Sequence, residues 1–362
     1  MVRGTRPPRL SSLGTLATLQ TKIRTAQAAV RGSLGREGSV LDTARAVTTT
    51  LRTGGPRGLR RWLMWQARLG DTPRRGRRAE AAGLEAATLD TFPVQSMADV
   101  PACFVRLEER AGREDRYAFG GAPRIVVSGY CLVCGWGDLV VTDDYGEGRP
   151  AWRETASCRC GMNTRMRTVL DWLVNVERAP SDARIYCTEA TTGFFAAVAR
   201  RYRNAVGSEY IPDRAAPGTL DDRGIRCENL HHLTFADASF DYVVSLDVLE
   251  HVFSYESALR ELLRVLKPGG VAIVTVPFRF DQALTVQRAR LSGDTVEHLL
   301  PPLYHADPVR KDGTLLVYDY GWDFVGCMHD LGWREVAFMH VWSEPKKYFG
   351  RNFILRAVKP TG

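Results

Sequence analysis

The sequence predicts an α/β protein whose second half is a doubly wound, largely parallel sheet, and three observations lead there. Between residues 184 and 278, short apolar runs (R-I-Y-C, A-V-G-S-E, I-R-C-E-N-L, F-D-Y-V-V-S-L, V-A-I-V-T-V) alternate with amphipathic helical spans, as parallel strands do when crossover helices join them. Acids sit where the runs end, at Glu189, Glu209, Glu228 and Asp247. The ligand crevice of such a sheet lies outside the carboxyl ends of its strands, so the four should converge on one pocket suited to a nucleoside. Third, E-A-T-T-G has the form of a tight strand-to-helix turn, with Gly193 letting backbone approach a ligand and Thr191 where a first glycine would be expected.

Each element follows in order. Residues 1–12 are rich in Arg and Pro and read as disordered. Helical periods run from Leu16 to Gly32, over 40–51 and over 56–69. The last, R-G-L-R-R-W-L-M-W-Q-A-R-L, suits packing on a neighbouring helix, an anionic membrane surface or RNA phosphates. Residues 71–78 form a charged linker, and 92–121 show no decisive period. From Arg124 a strand, a Cys131-x2-Cys134 knuckle and a second strand precede Cys158-x-Cys160. Residues 163–176 have helical spacing, 279–318 form a long insertion, 318–331 a last helix, and 336–342 with 353–358 an antiparallel edge hairpin. The chain thus divides into a basic helical region (1–90), a Cys-rich β ribbon (91–164) and a sheet domain (165–362).

Charge and composition set bounds. The 362 residues are 44% hydrophobic and 25% charged, and carry a net charge of +8. Residues 1–80 hold 16 Arg and one Lys against four acids, a surplus of 13, so the rest of the chain is net −5 and the basic excess says little about the crevice. No apolar run approaches bilayer length and no secretory signal is legible, which places the protein in the cytoplasm. Four of the eight cysteines have metal-like spacing rather than that of a secreted disulfide framework. The first histidine is His231, so a local site is four thiolates, or three with a carboxylate. A structural zinc on Cys131, Cys134, Cys158 and Cys160 stands against reduced thiols in a ribbon without metal.

The residues 233–251 (L-T-F-A-D-A-S-F-D-Y-V-V-S-L-D-V-L-E-H) and 264–270 (R-V-L-K-P-G-G) resemble a class I S-adenosylmethionine-dependent methyltransferase domain, over roughly residues 165–360. W-R-E-T-x-x-C-x-C-G-M-N-T-R, E-H-L-L-P-P-L-Y-H-A-D-P and Y-G-W-D are similar to a bacterial group with a Cys-rich ribbon before that domain. The resemblance implies a Rossmann-like seven-stranded sheet and S-adenosyl-L-methionine as cofactor. Glu209, twenty residues beyond Glu189, has the spacing of a carboxylate that accepts from both ribose hydroxyls. Glu228, Asn229 and Leu230 would border adenine. Asp247, Val248 and His251 would pass the methionine end, with Glu189, Thr191, Gly193 and Tyr210 completing the cofactor set.

Methyl transfer to a hydroxyl or amine needs a proton acceptor. His305 is the expected base, His298 a substrate contact and Asp307 the group that orients a ring; the alternative is that these histidines only hold a loop. The leading function is methylation of a small-molecule or glycan-linked acceptor. An RNA methyltransferase, suggested by a zinc ribbon beside an Arg-rich segment, is weakened by the absence of an Asn-Pro-Pro-Tyr-like clamp after the fourth strand. A silent binding protein that keeps only the fold is the third reading.

Overall fold

The computed structural model describes residues 89–117, 119, 124–143, 150–306, 309 and 312–362. The basic helices, with the membrane or RNA contact read for residues 1–80, lie outside the described residues, as does Asp307.

In chain order, β1 (Asp90–Val94) leads into α1 (Val100–Glu114). β2 (Arg124–Cys131) and β3 (Gly135–Thr142) form the Cys-rich hairpin. The short α2 (Trp152–Thr155) precedes α3 (Thr164–Asp171), whose Asn163 cap accepts from the Met166 amide at 3.0 Å. Next come β4 (Arg184–Cys187), α4 (Gly193–Arg201), β5 (Asn204–Gly207), β6 (Phe240–Leu246), α5 (Tyr255–Val265) and β7 (Leu266–Thr275). Thr192 caps α4 and Ser254 caps α5 through their hydroxyls. The insertion folds into small hairpins: β8 (Val286–Gln287) pairs with β13 (Tyr318–Asp319), β9 (Ala289–Ser292) with β10 (Thr295–His298), and β11 (Tyr304–His305) with β12 (Thr314–Leu315). α6 (Asp323–Asp330), shorter than the expected 318–331 helix, then leads to β14 (Arg334–Trp342) and β15 (Phe353–Val358).

The main sheet has seven strands in the order β1-β14-β15-β7-β6-β4-β5. β5, β4, β6 and β7 run parallel, while β15, β14 and β1 add antiparallel, so the Rossmann-like sheet and its edge hairpin are present. One strand is not the one the sequence suggested. Residues 225–230 form isolated bridges, Glu209 to Cys227 among them, and the side chains of Arg226 and Glu228 bond each other and Thr234. The seventh strand is β1 instead.

Alternation along the strands divides the core into two layers. Tyr186, Val243, Ala272 and Val274 join Leu259 and Leu262 of α5 and Phe324 and Met328 of α6. Ile185, Cys187, Val244 and Ile273 join α3, α4 and the hairpin through Val169, Phe194, Val198, Leu139 and Val141. The Cys-rich hairpin therefore shares a core with the sheet. Polar anchors reinforce that junction: buried Arg167 donates to the Lys346 carbonyl at 2.7 Å, and Lys346 pairs with Asp171 at 2.7 Å with both side chains out of solvent. On the other side α1 is held by charge. Buried Arg110 bonds His340 Nδ1 and pairs with Asp90 at 2.5 Å, while His340 Nε2 donates to the Gly350 carbonyl at 3.0 Å. Among the described residues, no helix is long and apolar enough to cross a membrane.

Candidate functional site

Glu189, Glu209 and Asp247 lie within reach of one another's charge, and the Glu228 amide donates to the Glu209 carbonyl at 3.1 Å. Glu189 follows β4 and is 8% exposed, with its Oε1 unbonded. Burial pushes its carboxyl up to about 7 against the pull of Arg165, and the charges of Glu209 and Asp247 reach it. Glu209 takes the Ala190 amide at 2.8 Å, the Thr191 amide at 3.0 Å and the Thr191 hydroxyl at 2.8 Å, all on Oε1. Thr191, standing where a glycine was expected, thus closes the turn by bonding an acid. Glu228 accepts on Oε1 from Arg226 at 2.7 Å and the Thr234 hydroxyl at 2.6 Å, and on Oε2 from the Thr234 amide at 3.0 Å, which leaves Oε2 a further acceptor position. Leu230 is buried in the core, Asn229 accepts from the His231 amide, and Tyr210 is 53% exposed.

Asp247 has partners that the sequence reading missed. It sits in the left-handed region at φ 51, its amide bonded to the Thr275 carbonyl at 2.9 Å and hydroxyl at 3.1 Å. Arg153 grips its two oxygens at 3.0 and 3.2 Å, and Arg165 stands at 3.1 Å. Burial alone would raise this carboxyl, but the two guanidinium groups outweigh it and hold it well below the ordinary range. Both arginines come from W-R-E-T and N-T-R, the flanks of the second cysteine pair.

The four cysteines come together. Cys158 Sγ lies 3.7 Å from that of Cys131 and 2.9 Å from that of Cys160, Cys131 and Cys160 are 3.9 Å apart, and Cys134 completes a group within 4.8 Å; all are free thiols. Four sulfurs at about 2.3 Å from a zinc would stand about 3.8 Å from one another, so the cluster fits a tetrahedral ion with one short edge to open. Gly193 belongs to this cluster as much as to the crevice. A Cβ there would stand 2.8 Å from the Cys160 carbonyl oxygen, so the glycine admits the second knuckle.

His305 stands beside the turn that follows β6. After β6, a tight turn at Leu249–His251 carries Glu250 and His251. Glu250 Oε1 lies 3.8 Å from His251 Nε2 and 3.8 Å from His305 Nδ1, and the two rings meet edge to face at 5.0 Å. Burial, then the charge of Asp247, raises the Glu250 carboxyl well above the usual range. The insertion pins this turn: Val317 donates to the Glu250 carbonyl at 2.8 Å and the Tyr320 hydroxyl to that of Leu249 at 2.6 Å. Gly313, at φ 79 and with no room for a Cβ beside the His305 carbonyl, sets the β11–β12 hairpin. His298 is exposed on β10, and Val248 is half-buried beside Asp247.

Past the end of β7 lies a cavity of about 520 Å³, lined by Phe104, Phe278, Phe280, Phe338 and Phe353 and by Arg153, Arg279 and Arg351. Arg153 joins it to the crevice. None of these residues was singled out from sequence.

A doubly wound sheet with acids gathered beyond its parallel strands defines a nucleotide-type binding domain. Residues 186–274 match the methyltransferase domain family, and the chain carries a class I S-adenosylmethionine-dependent methyltransferase domain. It is 40% identical over 145 residues to a probable S-adenosylmethionine-dependent methyltransferase of Mycolicibacterium smegmatis, covering 38% of this chain and 52% of that protein. It is 34% identical over 107 residues to an uncharacterized methyltransferase of a Mycobacterium species, covering 29% and 42%. The chain thus spans about half or less of the curated relatives it matches. Solved structures that resemble it include an amino pentose methyltransferase of Micromonospora echinaspora (15% identity, 56% of this chain and 94% of that one, TM-score 0.35). A 1,6-didemethyltoxoflavin-N1-methyltransferase of Burkholderia thailandensis is another (14% identity, 54% and 78%, TM-score 0.32).

Proposed function

We propose that the protein is an S-adenosylmethionine-dependent methyltransferase acting on a small-molecule or glycan-linked acceptor. The observation that carries this is Arg153, which pairs with Asp247 of the crevice and also lines the aromatic cavity. At about 520 Å³ that cavity has room for a small-molecule acceptor. Its phenylalanines and arginines suit a flat or apolar acceptor with an anionic group. Adenosylmethionine, when bound, supplies a methyl already activated on sulfur.

The residues present fit that cofactor in its polar parts. Glu209 offers Oε2 to the ribose hydroxyls, the buried and unbonded Glu189 Oε1 leaves an acceptor to satisfy, and Arg165 places a cation among the acids for a carboxylate end. Without a metal on them, Glu250, His251 and His305 are the groups placed to take the acceptor proton. The four thiols fit one structural zinc, which, with four protein ligands, has no open position for catalysis.

Calorimetry with S-adenosylhomocysteine tests the reading. Binding that weakens by more than about tenfold in Glu209→Ala supports it, whereas no binding to the intact chain leaves only a silent fold. Mass spectrometry of extracts from cells with and without the protein then finds the acceptor as a species heavier by one methylene.

A further inference from the structure

We propose that Glu250, His251 and His305 form a binding site for a single divalent cation of the Mn2+, Fe2+, Co2+ or Zn2+ class, on the acceptor side of the crevice. Two imidazoles and one carboxylate are the donor set such ions take when positions must stay open for another ligand. The three donor atoms lie within 4.8 Å of one another. A tetrahedral ion at about 2.1 Å from each would need edges of about 3.4 Å, so the two 3.8 Å separations from Glu250 Oε1 close with small side-chain rotations.

A second observation points to a ligand. Glu250 is fully buried, yet neither carboxylate oxygen has a hydrogen-bond partner. A buried acid left without donors is costly, and a cation at this spot would supply what the protein withholds. The third concerns orientation. His251 Nδ1 stands 2.7 Å from the Leu315 carbonyl, which can only accept, so that nitrogen carries the proton and Nε2, the atom facing Glu250, carries the lone pair. A backbone carbonyl behind a ligating imidazole is the usual outer support of a metal-bound histidine. The tight turn fixes two ligands, and the hairpin set by Gly313 brings the third from 54 residues away.

A cation here would hold an acceptor oxygen next to the methyl donor. That role rests on the methyltransferase reading; the cation site itself does not.

Titration of the chelator-treated full chain with Mn2+, followed by loss of the free-ion paramagnetic resonance signal, tests the site, because thiolates are poor ligands for this ion and the cysteine cluster stays silent. One equivalent should bind, and His305→Ala and Glu250→Gln should each weaken it by more than about tenfold. The His305 side chain is 42% exposed, so its removal leaves the fold intact even where the buried Glu250 change does not. No Mn2+ binding, or equal binding by His305→Ala, overturns the assignment. Binding of S-adenosylhomocysteine without Mn2+ would sink the cation site alone, and Mn2+ without S-adenosylhomocysteine would sink the methyltransferase reading alone.

Discussion

Replacing Gly193 by alanine puts a methyl group 2.8 Å from the Cys160 carbonyl oxygen, with Gly161 and Met162 behind it at 3.7 Å. Ordinary contact begins at about 3.5 Å, so roughly 0.7 Å must be found by moving either the start of α4 or the second knuckle. Both are backbone, and overpacking of this kind costs about 1–3 kcal/mol. Alanine in a helix gains about 0.5–1 kcal/mol over glycine, which opposes it. The expected net loss is about 1 kcal/mol. Gly326 in α6 supplies the control, since a Cβ there meets nothing within 4 Å and Gly326→Ala should stabilise by about 0.5–1 kcal/mol. Urea unfolding of both variants reads the difference between them, in which the helix preference largely cancels and the clash, about 1–3 kcal/mol, remains. Equal shifts of the two midpoints in the same direction would refute the claim that the knuckle is pressed against the turn.

Three further outcomes are expected. The Glu189 carboxyl is raised to about 7 by burial, so the stability it contributes is complete below about 4.5 and lost as pH rises through about 7. Glu189→Gln should then be more stable than the parent at pH 8, by at most about 3 kcal/mol, with the gap closing near pH 5; a gap that does not change with pH would contradict the burial argument. Burial pushes His340 down to about 4, so the stability of its neutral form is complete above about 6.5 and lost as pH falls through about 4. Its ring resonances in an NMR titration should move near pH 4, and movement near 6.5 would mean the ring is not enclosed by Arg110 and Gly350. Elemental analysis should find one equivalent of zinc fewer in Cys131→Ser than in the parent, with a lower melting temperature for that variant and for chelated protein; a melt unaffected by chelation would leave the thiols as a bare cluster.

The parallel strands could be read from the sequence because both faces of each are apolar, and the acids at their ends because they interrupt those runs. α1 was not, since it buries Arg110 and Cys103 where an apolar stripe would normally lie. β1 contains Pro93 and spans five residues, too few to show a period. Residues 225–230 looked like a strand, but Arg226 and Glu228 find their partners in Thr234 and each other, and no periodic rule registers that. Gly193 lies against the Cys160 carbonyl, a neighbour that the strand-to-helix turn alone does not announce. The crevice cations Arg153 and Arg165, and the cavity phenylalanines, come from segments distant in sequence, so only folding shows them together.

The family match ends at residue 274, yet the sheet does not close there. About 250 positions separate Asp90 from its neighbour Trp342 across the β1–β14 ladder. The strands that cover β7 on its outer side are thus synthesised last, and the one that covers β14 is synthesised long before its partner exists. A fragment cut to the matching block would leave β7 with a row of unpaired amides and carbonyls, an open template for a second molecule. A fragment starting after Val94 would shift the same liability to β14. The flanks are the rim that keeps this sheet from adhering to its own kind.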